Sequence, residues 1–167
     1  PGGTLLIGME ITDNTAATGL TKTGPGKLIL TGDNGFSGQV VIGGGTLQIG
    51  DGLTASFGQR FLGLGGAPVI NHGILALDTP IGSAEFEVTN VIEGTGSIRQ
   101  VGTGELRLSG PNTYTGRTSV KAGTLSAMLN PTALGTTDGL TAVDQGALLL
   151  LATTTSAPPG AAAATRP

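Results

Sequence analysis

The side chains that could carry chemistry in this sequence are few and scattered. Glu85, Glu87 and Glu93 form its one carboxylate cluster. If Glu85 and Glu87 share a strand face, they could hold calcium or work as an acid–base pair. A solvated strand edge accounts for them more simply. His72 is the single histidine, and Asp78 with Ser83 could in principle complete a Ser-His-Asp arrangement. No serine, however, sits in the G-x-S-x-G frame that exposes a nucleophile. One His and no Cys disfavour a zinc site. Gly65-Gly66 starts like a calcium nonapeptide, but Ala67-Pro68-Val69 does not continue it. The glycine-rich stretches 24–26 and 43–45 lack the Lys-Ser/Thr of a phosphate loop and lead into strands. We therefore assign no catalytic, cofactor-binding or metal residue, and expect no cofactor.

What these residues are mounted on is more informative. Of 167 residues 31 are glycine, charged residues make up 11% and aromatic residues 3%. Glycine is normally about 7% of a protein. Collagen fails because no strict Gly-X-Y period is present. Disorder fails over residues 1–152, where Leu, Ile and Val recur at strand-like spacing, and the mean hydropathy of the whole chain is positive. A net charge of −3 with scattered Lys and Arg argues against a nucleic-acid partner. The absence of cysteine excludes a disulfide framework without excluding export. No apolar run approaches the roughly 18 residues that would span a membrane. The chain opens on Pro1 without a signal segment and reads as a piece of something longer.

Internal repetition is the strongest signal. Residues 22–50 overlay residues 100–128 without gaps at an offset of 78, with ten identities in 29 positions. The matches include Leu28/Leu106, Leu30/Leu108, Asn34/Asn112 and Leu47/Leu125, and Phe36 faces Tyr114. A shorter unit, glycine followed by alternating aliphatics, has its first Leu at 5, 28, 47, 75, 106, 125 and 148. Period-2 alternation marks short strands with one buried face. Leu28, Leu30, Leu47, Ile49, Leu106 and Leu108 should point inward, and Lys27, Gln48, Glu105 and Arg107 outward.

The spacing between successive units is uneven, from 19 (Leu28 to Leu47, and again Leu106 to Leu125) to 31 (Leu75 to Leu106). It suits a right-handed parallel β-helix of roughly seven coils with loops of varying length, a rod on the order of 30–35 Å long. A hairpin sandwich is the competing arrangement, since Asp51-Gly52 and Asp138-Gly139 could form tight turns. Residues 51–68 and 78–93 fit the unit poorly and read as loops. Ala127-Met128 weakens the strand that follows Leu125. The solenoid should occupy residues 1–152. Residues 153–167, TTTSAPPGAAAATRP, read as a low-complexity tail.

The segments 24–50 and 102–125 closely resemble the autotransporter-associated β-strand repeat, whose pattern runs G-x-G-x-L-x-L-x-G-x-N-x-[YF]-x-G, then a strand, then G-T-L. Val69-Ile-Asn-His-Gly-Ile-Leu-Ala-Leu is similar to the coil that follows in that family. Gly35 departs from the family's usual Thr. Within the motif, Asn34 and Asn112 suit a left-handed turn position, and Phe36 and Tyr114 could lay a ring over an open corner. The resemblance implies a bacterial passenger domain exported through a C-terminal β-barrel translocator, absent from this chain, and displayed on the outer surface. It implies a structural or adhesive stalk, with host-surface or neighbouring-cell ligands as partners. Two alternatives remain open: a fragment of a β-helical polysaccharide lyase or hydrolase, and an open-ended piece that self-associates. The lack of Trp and the single Tyr leave little for stacking on sugar rings.

Overall fold

The computed structural model describes residues 2–53, 66–82, 86–128, 130–136 and 138–152. Their regular structure is all strand: β1 (Thr4–Ile7), β2 (Leu20–Lys22), β3 (Lys27–Leu30), β4 (Val40–Ile42), β5 (Thr46–Ile49), β6 (Val69–Asn71), β7 (Ile74–Leu77), β8 (Phe86–Val88), β9 (Ile92–Glu93), β10 (Ser97–Gln100), β11 (Glu105–Leu108), β12 (Thr118–Val120), β13 (Thr124–Met128), β14 (Thr141–Val143) and β15 (Leu148–Ala152). Every pairing between these strands is parallel, so the hairpin sandwich is excluded.

The strands form a solenoid. A long sheet runs β1-β3-β5-β7-β10-β12-β14, flanked by two short sheets, β2-β4-β6-β9 and β8-β11-β13-β15. Seven strands deep, the long sheet encloses six turns and spans about 29 Å at the usual inter-strand spacing. Each strand is three to five residues, apart from the two-residue β9. Such short strands leave one or two side chains per face, so the core is a column of stacked aliphatics. Leu28, Leu30, Leu47, Ile49, Leu106 and Leu108 all point into it, as the alternation requires. Stacking is like upon like, with Leu5 on Leu28, Leu28 on Leu47 and Leu47 on Leu75.

The two long repeats do not lie on the same face. In the first, β3 and β5 belong to the long sheet and β2 and β4 to the first short sheet. In the second, the equivalent β11 and β13 belong to the second short sheet, and β10 and β12 have taken over the long one. From Leu28 the long sheet returns at Leu47, Leu75 and Ile98, and Leu106 lies one face further on. The offset of 78 is thus three turns and one face. This also explains the outlying step of 31 between Leu75 and Leu106.

Several local expectations are corrected. Residues 78–93 are not all loop, because Phe86-Glu87-Val88 and Ile92-Glu93 form β8 and β9. The strand after Leu125 runs on through Met128. In β15 the inward position is Leu149, which pairs with Leu125, while Leu148 pairs with Thr124 and is half exposed. Gln48 faces outward in register, yet its side chain is buried and its amide donates to Gly50 O at 2.8 Å and Asp78 Oδ2 at 3.0 Å.

Close stacking dictates the glycines. A Cβ built on Gly116 would lie 2.1 Å from Gly96 O in the turn below, closer than any side chain tolerates. Gly3, by contrast, has nothing within 4 Å of such an atom. Gly116→Ala should therefore lower stability by about 3 kcal/mol or more through forced separation of two turns. Gly3→Ala should stay within about 0.5 kcal/mol of the parent. Urea unfolding of the two variants checks this contrast.

Candidate functional site

The residues with potential chemistry are held apart by this fold. His72 precedes β7 and Asp78 follows it, so about 13 Å of strand separates them. The His72 imidazole is exposed and its Nδ1 lies 3.2 Å from Thr95 Oγ1, a contact between neighbouring turns. Ser83 and Glu85 lie outside the described residues. Glu87 is exposed on β8 in the second short sheet, stacked in register under Arg107. Glu93 is on β9 in the first short sheet, beside Ile70. The two carboxylates therefore belong to different sheets. Among the described residues no group of three or more His, Cys, Asp or Glu side chains could hold a metal ion.

Two other carboxylates are perturbed by their surroundings. Asp13 accepts the Ser37 hydroxyl, the Thr18 N–H at 2.6 Å and the Ser37 N–H at 3.1 Å. These bonds, the Ser37 hydroxyl first, hold its carboxyl below the usual value of 3.8. Asp78 moves the other way: burial pushes its carboxyl up and outweighs the attraction of Lys27, with Asp51 adding repulsion. Asp13 closes a surface loop onto the next turn. Neither carboxyl is joined to the one histidine, so neither completes a nucleophilic site.

The polar groups with the most developed surroundings lie inside the column. Asn34 and Asn112, equivalent in the two repeats, are fully buried. Asn34 Oδ1 accepts the Ile11 N–H at 3.0 Å, and its amide donates to Gly32 O at 3.0 Å. Asn112 accepts the Ile92 N–H at 2.8 Å from the turn below and donates to Ala133 O at 2.6 Å in the turn above. The motif asparagine is an internal bridge between turns as well as a turn residue. Phe36 and Tyr114 are also completely buried, so they fill the column rather than cover a corner. The Tyr114 hydroxyl meets Thr118 Oγ1 at 2.6 Å, and burial pushes its phenol up to about 12. In the first repeat the same two positions are Phe36 and Val40, both apolar. Aromatic and partner change polarity together. The paired differences Phe36/Tyr114 and Val40/Thr118 carry that signal in the sequence, although neither is of a type that marks a catalytic group.

These features define a repeat-built parallel β-solenoid whose motif residues make inter-turn contacts. The family model of the passenger-associated-transport-repeat matches residues 20–49 and 98–127, two blocks at the same offset of 78. The chain therefore carries two autotransporter passenger repeats. It is 35% identical over 140 residues to the adhesin BmaC autotransporter of Brucella suis biovar 1 (strain 1330). That match covers 75% of this chain and 4% of the relative, so the chain corresponds to a small part of that protein's length. No solved structure matches it.

Two outcomes follow from the site geometry. Tyr114→Phe leaves the Thr118 hydroxyl buried without its partner and should cost about 1–3 kcal/mol. The double variant Tyr114→Phe/Thr118→Val, which reproduces the first repeat's pair, should recover most of that loss in a double-mutant cycle. Asp13 has a depressed carboxyl in the folded state, so its contribution is present above about pH 4 and is lost as pH falls through the folded value. The melting temperatures of the parent and Asp13→Asn should therefore differ at about pH 7 and converge as the solution is acidified through the lowered folded value.

Proposed function

We propose that this chain is a stalk segment of a secreted autotransporter passenger, held at the bacterial surface and serving an adhesive protein. The observation that carries the reading is the pair of passenger repeats built into one continuous parallel solenoid. Their motif residues are spent on joining turns and none is left to do chemistry. The relative's name, an adhesin autotransporter, supports adhesion as the setting. We take residues 1–152 as the solenoid and 153–167 as a linker, although that last stretch lies outside the described residues. The parent would supply a C-terminal β-barrel translocator, and its ligands would be molecules on host or neighbouring cells. We assign the segment no enzymatic role. The alternative of a β-helical lyase or hydrolase needs acidic and basic groups lining one groove, and the separation of His72 from Asp78 and of Glu87 from Glu93 works against it.

Antibodies raised against the purified chain should label intact cells that express the parent protein, with no need to permeabilise them. The purified chain incubated with polyuronates should release no unsaturated oligosaccharides. Release of such products would overturn the stalk reading, and labelling confined to permeabilised cells would overturn surface display.

A further inference from the structure

A buried charge sits beside the first glycine corner. Lys22 ends β2 with its side chain turned into the column, stacked under Ile42 and Asn71, and is 8% exposed. A buried ammonium needs a partner that replaces water. Here no carboxylate pairs with it among the described residues. Its Nζ donates instead to three backbone carbonyls: Thr23 O at 2.8 Å, Gly24 O at 2.9 Å and Gly44 O at 3.1 Å. No backbone N–H among the described residues donates to any of these three oxygens. They are carbonyls that the glycine corner leaves over, two from the corner itself and one from the turn above.

The neighbouring glycine keeps this space open. Gly45 sits at φ +66, and a Cβ there would lie 2.9 Å from Nζ, 2.5 Å from Gly24 O and 2.3 Å from Gly26 O. The second repeat has a neutral donor at this position, which keeps only the contact equivalent to Gly24 O and leaves its own Oε1 buried without a hydrogen-bond partner among the described residues. Gln100, at the position equivalent to Lys22, donates from Nε2 to Gly102 O and Gly104 O at 3.1 Å and to Thr79 Oγ1 at 2.9 Å. A Cβ on Gly123, the counterpart of Gly45, would meet Gly104 O at 2.3 Å and Gly102 O at 2.6 Å.

We propose that the first glycine corner, residues 23–26 with Gly44, is a carbonyl nest for an ammonium-class monovalent cation, filled in this protein by its own Lys22. The three distances are those of N–H···O bonds. Three neutral oxygens without a carboxylate form a poor site for calcium or magnesium, which take closer and more numerous oxygen ligands, charged ones among them. Because one of the three oxygens belongs to the next turn, filling the nest ties the first two turns of the repeat together. Lys22 is a positioning residue for the stack, and the nest recognises its charge by dipoles alone.

The test uses the full chain. In the native protein, acylation by an amine-reactive ester, read by peptide mass spectrometry, should modify Lys22 at least about tenfold more slowly than Lys27 or Lys121. Equal rates would overturn the proposal, and this arm does not depend on any variant folding. Lys22→Gln keeps a donor but not the charge, so its melting temperature should lie between those of Lys22→Ala and the parent, and a value equal to the parent's would overturn recognition of charge. Lys22→Ala empties the nest. Its melting temperature should be lower, and should rise more in ammonium or methylammonium chloride than in choline chloride of equal concentration, with the parent showing no such difference. A Lys22→Ala melting temperature equal to the parent's, or equal responses to the three salts, would overturn the proposal.

Discussion

Parallel backbone hydrogen bonds draw each turn of this chain to about 4.8 Å from the next, and the rest of the structure is arranged around that spacing. Along the strands the spacing is easily met, because identical aliphatic side chains stack as Leu28, Leu47 and Leu75 do. At the corners it is severe. There the backbone of one turn runs against the backbone of its neighbour, and Gly116 approaches Gly96 O too closely for any Cβ. The glycine content that looks like a sign of looseness is therefore a condition of tight packing.

The same spacing governs the polar groups. A corner that abandons the ladder leaves N–H and C=O groups facing the interior, where an unpaired group costs about 1–3 kcal/mol. Side chains reach across the turn to meet them. Asn112 ties Ile92 N–H below to Ala133 O above, Asn71 donates to Ser97 O and Lys22 reaches Gly44 O. Each bridge is complete only when two successive turns are in place. Stability in such a stack is a property of neighbours rather than of single turns, which suits a segment whose role is to extend.

The strands that start with G-x-L-x-L were legible because period-2 alternation after a glycine marks a short strand with one buried face. The inward set was correct residue by residue from Leu28 to Leu108. Rotation of the second repeat by one face was hidden, because the step from Leu75 to Leu106 can equally be one long coil or a turn plus a face. The strands β8 and β9 were not legible, since Phe86-Glu87-Val88 and Ile92-Glu93 are too short to establish a period. Asn34 and Asn112 read as turn residues, and no local pattern marks Lys22 or Gln100 as inward. Their burial depends on carbonyls and N–H groups of adjacent turns, which no local pattern displays. The one available clue was positional: both repeats place a side chain that can donate just ahead of G-x-G, at Lys22 and Gln100.

Cysteine cross-linking can distinguish repeats related by three turns and one face from repeats stacked on a single face. The chain contains no cysteine, so introduced pairs report without background. Ala76 and Arg99 occupy outward positions on adjacent strands of the long sheet, in register with each other. That places them close enough for the roughly 4.4–6.8 Å Cα separation of a disulfide. Arg107 faces outward on the second short sheet, in register with Glu87 rather than with Ala76. A76C/R99C should oxidise to an intramolecular disulfide while A76C/R107C should not. Ready formation of the second disulfide, with failure of the first, would mean that the repeats stack on one face, and would contradict the relation by three turns and one face.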